Sequence, residues 1–290
     1  MNMKKFRFSI IAFAALLVLG SCTKHKLWFP MDEMPKDFAE FQLHYMEPIT
    51  SVAANYIDSV YVNGVLYAST KSGNALAVYN GVPGGGVGKF YGVKSGSVHF
   101  QCYRGGEIVY DRNVTLEPKK QNVIIHDLNA DPIIIDNDYP YWHNRGVNST
   151  AGTFGTDSVA KVMFINLLYE APGVPYPGKL QYQYRRQDAK ADDPWNNIGE
   201  PVGFGEATKR TEVIIHWSGG PAGNGSKYQR ENYRILTEDG NVLQYINSNG
   251  KLVDYSDYWN AYVGRVYMHF YRGIRTEKSP YAWVSQWTSL

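Results

Sequence analysis

Cysteine is almost absent: Cys22 and Cys102 are the only two in 290 residues. That excludes a disulfide-stapled scaffold and a cysteine-rich zinc site, because both need several thiols at set spacings. Charge of one sign is also missing. With 29 basic and 27 acidic residues, no broad positive field points to nucleic acid. Beyond the first twenty residues no apolar run approaches the length that spans a bilayer. The Gly-x-Ser-x-Gly nucleophile elbow does not occur. The loop Gly84-Gly85-Gly86-Val87-Gly88-Lys89 is not a P-loop, since Pro83 stands five residues before Gly88 and Phe90 stands where Ser or Thr would hold magnesium. It reads as a connection between strands. Seven histidines are scattered without metal-site spacing, and Asp131, Asp136 and Asp138 lack the spacing of a known calcium loop. The expectation is a protein with no catalytic residues, no cofactor and no metal.

What is present begins at the N-terminus. Lys4, Lys5 and Arg7 precede Phe8 to Leu19, a run of twelve in which only Ser9 is polar, and Leu19-Gly20-Ser21-Cys22 closes it. A basic region, a short apolar region and small residues in that order make an export signal, too short to cross a bilayer. The arrangement resembles the bacterial lipobox, which implies a diacylglyceryl group on the Cys22 sulfur and cleavage just before it. Residues 1–21 are then the signal peptide, and 22–38, interrupted by Pro30 and Pro35, a tether. The implied partner is a membrane held through acyl chains. Lys24, His25 and Lys26 follow the anchor where a surface-export signal would be acidic, which favours an outer membrane position facing the periplasm of a bacterial cell envelope. Removal of Lys4, Lys5 and Arg7 with the leader leaves 26 basic against 27 acidic residues. Cys102 is left without a partner. Its alternation with Val98 and Phe100 makes it a buried structural thiol.

From Phe41 onward, short alternating runs separated by turn residues predict an all-β chain of two tandem antiparallel sandwiches. Val60-Tyr61-Val62 and Val65-Leu66-Tyr67 flank Asn63-Gly64, a pair suited to a type I′ hairpin. A second hairpin turns at Gly105-Gly106 with Arg104 opposite Glu107. Further strands are expected at Phe41 to Met46, Ala75 to Tyr79, Lys89 to Val93, Asn113 to Leu116 and Asn122 to Asp127, with Ile133 to Ile135 able to close the sandwich. Seven or eight strands make the first domain, 39–135. A Gly/Ser/Thr-rich linker follows at 136–158, then a second domain at 159–290. Lys161 to Leu167 echoes Phe41 to Tyr45, and Leu180 to Tyr184 falls where Asp58 to Val62 falls, which points to a divergent duplication. In the latter run Leu180, Tyr182 and Tyr184 face inward, and Gln181 and Gln183 outward. Later strands are expected at Glu212 to His216, Tyr233 to Leu236, Val242 to Ile246 and Tyr262 to Tyr271, with inserts at Arg185 to Glu200 and Trp217 to Arg230.

Val60-Tyr61-Val62-Asn63-Gly64, then Val114-Thr115-Leu116-Glu117-Pro118-Lys119-Lys120 and Val123-Ile124-Ile125, resemble the bacterial DUF 4397 family, a domain of unknown function. The resemblance covers about residues 40 to 130. It implies immunoglobulin-like sandwiches in tandem on secreted or lipid-anchored proteins, and carries no catalytic residues.

Aromatic content is high, with 23 Tyr, 7 Trp and 12 Phe. Tyr139, Tyr141 and Trp142 at the junction, Trp195 in a polar insert, and Trp283 and Trp287 on one face of a C-terminal strand are the candidate ligand-binding residues. Flat rings of this kind stack on sugars or anchor a partner protein. The expected role is a non-catalytic spacer or protein-binding module, with glycan binding on these rings as the alternative.

Overall fold

The computed structural model describes residues 35–50, 52–70, 90–137, 159–215, 228–262 and 264–288. From Lys36 onward they belong to one compact unit, which is all-β apart from a single 3-10 turn at Ala53–Asn55. Among the described residues no helix is long and apolar enough to cross a membrane. The leader, Cys22, Gly84 to Lys89, His216 and the expected strand at Ala75 to Tyr79 lie outside them.

Among the described residues the first sandwich has eight strands: β1 Phe38–Tyr45, β2 Ser59–Val62, β3 Val65–Ser69, β4 Tyr91–Lys94, β5 Gly96–Arg104, β6 Glu107–Leu116, β7 Lys120–Ile125 and β8 Ile133–Asp136. They form an outer sheet β3-β2-β5-β6 and an inner sheet β4-β1-β7-β8. Asn63 and Gly64 take φ of 50° and 75°, the left-handed values that a two-residue hairpin requires. Arg104 pairs with Glu107 across the other turn. Asn113 to Leu116 is the end of the long strand β6 rather than a strand of its own. Phe41, Leu43, Val60, Val62, Phe100 and Val123 fill the core. Cys102 lies among them, 1 % exposed, and burial pushes its thiol up to about 12.

The second sandwich contains β9 Val159–Ala171, β10 Val174–Pro175, β11 Leu180–Arg186, β12 Asn196–Val202, β13 Thr211–Ile214, β14 Tyr228–Leu236, β15 Gln244–Ile246, β16 Leu252–Asp254, β17 Ser256–Tyr262, β18 Val266–Ile274 and β19 Trp283–Thr288. Its inner sheet runs β10-β9-β18-β19 with β13 also on β9, and its outer sheet runs β12-β11-β14-β17. The pairings repeat those of the first sandwich. β13-β9-β18-β19 matches β4-β1-β7-β8, and β12-β11-β14-β17 matches β3-β2-β5-β6. The additions are β10 and the hairpin β15-β16.

Two expectations need correction. The sandwiches are not purely antiparallel, because β1 pairs in parallel with β7 and β9 with β18. That crossover also gives a strand order unlike the ABED and CFG sheets of an immunoglobulin constant domain. Lettered A to H along the chain, each sandwich here reads DAGH and CBEF.

The central strands of the inner sheets are largely buried on both faces, and their far faces carry polar side chains such as Gln42, His44 and Asn122 beside the apolar ones. Every position of β18 is buried. One face of each inner sheet closes its own sandwich, and the other packs against the neighbouring sandwich. There Met46 and Ile124 meet Met163, Ile165, Leu167, Met268, Phe270 and Trp287. Arg272, 2 % exposed, donates from Nη2 to the Glu47 carbonyl at 2.7 Å and from Nη1 to the Tyr45 carbonyl at 3.3 Å. His126 Nδ1 and the Tyr169 hydroxyl share a hydrogen bond of 2.7 Å. Among the described residues the four larger sheets stack in this way, and solvent reaches the outer two and the edge strands β4 and β13 of the inner pair.

Candidate functional site

The outer sheet of the second sandwich positions the site. On β11, Leu180 and Tyr182 are fully buried in the core and Tyr184 packs partly against it, so Gln183 and Arg185 project from the opposite side. On β14 the inward residues are Glu231, Tyr233 and Ile235, all 0 % exposed, which sends Arg230, Asn232 and Arg234 outward. On β17, Trp259 and Ala261 are inward, leaving Tyr258 and Asn260 outside. Arg234 pairs with Gln183 and Arg185 with Asn232 in the antiparallel register of β11 and β14. Asn232 lies opposite Tyr258, and Arg230 opposite Asn260.

Trp195, just before β12, joins this face. The Arg185 guanidinium lies 4.5 Å and the Arg234 guanidinium 4.4 Å from its ring centroid. Arg230 stacks on Tyr258 at 4.3 Å, and Arg265 on Tyr262 at 4.1 Å. Each such contact stabilises by about 0.5–1 kcal/mol at an exposed position. Neutral polar groups fill the spaces. Gln183 Nε2 donates to Asn197 Oδ1 at 2.8 Å, and Arg234 Nε donates to Gln183 Oε1 at 3.0 Å. Arg185 Nη1 reaches the carbonyls of Lys190, Ala191 and Asp193, which ties the loop before Trp195 to the sheet. Burial, and secondarily the charge of Arg185, draw the Arg234 pKa down.

The other candidate residues fare differently. Trp287 is 1 % exposed in the interface between the sandwiches, with the His44 ring edge-on at 5.3 Å. It offers no stacking face, because the strand face it shares with Trp283 is turned toward the first sandwich. Trp283 is half-buried at the margin of that interface, with Arg272 at 5.7 Å from its ring. Tyr139, Tyr141 and Trp142 lie outside the described residues. Gln181 is in phase with the outward side, but only 9 % exposed; its amide donates to the Gly199 carbonyl at 3.1 Å, because β12 covers it. His99 is outward of the core and pairs with Asp111 at 2.6 Å. Asp131 meets Arg112, and Asp136 meets Lys119. Among the described residues no group of three His, Cys, Asp or Glu side chains is arranged to hold a metal.

Sequence reasoning found Trp195 and missed its partners. The available signal was phase: Arg185 continues the alternation of Gln181 and Gln183, and Arg230, Asn232 and Arg234 alternate with the apolar Tyr233 and Ile235. What places Arg234 against Trp195 is the order of strands, which no local pattern contains. A cleft of about 1020 Å³ opens elsewhere, between β8 and the 203–210 segment. Its Lys119 is already bonded to Glu117 and Asp136, so that charge is engaged.

No family model matches this chain, and no curated protein matches it. Among solved structures, a leucine-rich repeat protein from Bacteroides thetaiotaomicron VPI-5482 overlaps it at 7 % identity and a TM-score of 0.20. That overlap takes in 80 % of this chain and 25 % of the other, so the chain spans a quarter of that protein's length. A similarity at this score carries no argument about fold or function.

Proposed function

We propose that this protein is a non-catalytic, lipid-anchored binding module of the bacterial cell envelope, and that it takes a glycan on the outer face of its second sandwich. The observation that carries the reading is Trp195 stacked against Arg185 and Arg234 beside the amides of Gln183, Asn197 and Asn232. Rings supply flat apolar area and the amides supply donors and acceptors for hydroxyls. Anchoring rests on Leu19-Gly20-Ser21-Cys22. The repeated strand order supports two copies of one ancestral unit. Glycan-array binding of the detergent-solubilised protein, wild type against Trp195→Ala, tests the ligand. Loss of about tenfold or more in affinity is expected, and equal binding by the variant would remove this face from the proposal. Acyl labelling of wild type and Cys22→Ala tests the anchor, with label expected only in the former.

A spacer or protein-binding role is the second reading, favoured by the packing of two sandwiches into one stack through Arg272, Phe270 and Trp287. Pull-down from solubilised envelope addresses it. Recovery of the protein alone would count against a protein partner.

A further inference from the structure

The outer face of β11, β14 and β17 sets Arg185, Arg230 and Arg234 on one surface, and Arg265 stands at its end against Tyr262. Among the described residues none of the four forms an ion pair with a carboxylate. The nearby acids are engaged elsewhere. Asp188 holds Arg186, and the carboxylate of Asp193 accepts from the Lys190 backbone. Asp257 accepts from the Tyr258 backbone and the Tyr233 hydroxyl, and Glu231 is buried on the core side. Two guanidiniums sharing one indole with no counter-charge break the preference for opposite charges between neighbouring strands. Such breaks concentrate where a protein binds something.

From this arrangement we propose, building on the glycan reading above, that the ligand is an acidic polysaccharide whose carboxylate or sulfate groups seat on Arg185 and Arg234, with Arg230 and Arg265 taking further anions along the chain. The planar guanidinium fork suits a two-oxygen anion. The groups set between the arginines suit a polysaccharide. Arg230 and Arg234 stand four residues apart on β14, about 13 Å along the strand. Between the arginines lie the neutral groups Gln183, Asn197, Asn232 and Asn260 and the rings of Trp195 and Tyr258, the last 48 % exposed. The face therefore matches a polymer that carries both anionic groups and hydroxylated rings.

The test is titration of the full chain in neutral detergent with dextran sulfate, alginate, uncharged dextran and an oligothymidylate at one salt concentration. Dextran sulfate and alginate are expected to bind at least about tenfold more tightly than dextran, with affinity falling as salt rises. Arg185→Gln/Arg234→Gln is expected to lose about tenfold or more in affinity while remaining folded, with a thermal midpoint lowered by the lost ring and loop contacts, and Lys94→Gln, at an exposed position of β4, to match wild type. If the double variant does not fold, Arg234→Lys replaces it: charge stays, the fork is lost, and alginate binding is expected to weaken at least about threefold. Dextran binding as tightly as dextran sulfate would overturn the acidic preference and leave the glycan reading standing. Failure of all three polysaccharides to bind would overturn both. Oligothymidylate binding as tightly as dextran sulfate would overturn the polysaccharide in favour of a nucleic acid.

Discussion

Glu231 sits on the core side of β14, 0 % exposed, where burial raises its carboxyl to about 7. The Gln229 amide donates to its Oε1. Between about pH 4.5 and 7 the folded protein keeps this proton while the unfolded chain has released it, so stability falls as pH rises through that window. Glu231→Gln is expected to gain about 3 kcal/mol at pH 8 and nothing at pH 4, measured by urea unfolding at the two pH values. Two buried imidazoles act in the opposite direction. Burial lowers His44 to about 4 and His269 to about 3, against the hydrogen bond that His44 Nε2 donates to Asn122 Oδ1, which partly supports charged His44. The unfolded chain takes up both protons as pH falls below about 6.5 and the folded protein does not, so these two groups withdraw stability toward acid. Near pH 5.5 two imidazole protons oppose one carboxyl proton, and the net contribution of the three groups rises by about 1 kcal/mol per pH unit. In Glu231→Gln that slope should steepen to about 2.5 kcal/mol per pH unit, and a slope unchanged from wild type would refute the assignment.

At the scale of single elements, β18 depends on a glycine. Gly273 has φ of 104°, and an added Cβ would meet the Tyr281 carbonyl oxygen at 2.2 Å. The chain preceding β19 crosses it there, with the Ile274 N–H donating to the Pro280 carbonyl at 3.0 Å. Backbone cannot yield as a side-chain tip can. Gly273→Ala is therefore expected to cost about 3 kcal/mol or more, seen as a lowered urea midpoint. The hairpins were legible because Asn63-Gly64 and Gly105-Gly106 are chemically committed to left-handed φ, whatever surrounds them. Strands with local alternation, such as β2, β5 and β11, were legible for the same kind of reason. β12 was not, since Asn196-Asn197-Ile198-Gly199-Glu200-Pro201-Val202 has little apolar alternation and becomes a strand through pairing with β11. The expected strand from Tyr262 to Tyr271 takes in most of β18 but only the last residue of β17, and it ran through the turn between them because that turn carries a single glycine, Gly264, with φ of 79°.

Across the whole molecule, the interface between the sandwiches decides cooperativity. Met268, Phe270 and Trp287 bury one face of the second inner sheet against Met46 and Ile124 of the first, and Arg272 bonds two backbone carbonyls across it. Calorimetry should show one unfolding transition. Trp287→Ala opens a large cavity at this contact and is expected to cost about 3–5 kcal/mol, lowering that transition or splitting it in two. An unaltered thermogram would mean that the sandwiches are independent. The same packing explains why Trp287 is not a ligand platform: strand spacing placed it correctly on a face with Trp283, yet said nothing about what covers that face.

The all-β class, the hairpin turns, the inward phase of Leu180 and Tyr182, and the buried setting of Cys102 were determined by the sequence alone, because each follows from alternation or backbone chemistry within a few residues. The strand order, the parallel pairs β1-β7 and β9-β18, the burial of both faces of the inner sheets and the meeting of Arg185, Arg234 and Trp195 were decided only by tertiary structure. These depend on which distant strands lie side by side, and that is set by the free energy of burying whole sheets rather than by any local pattern.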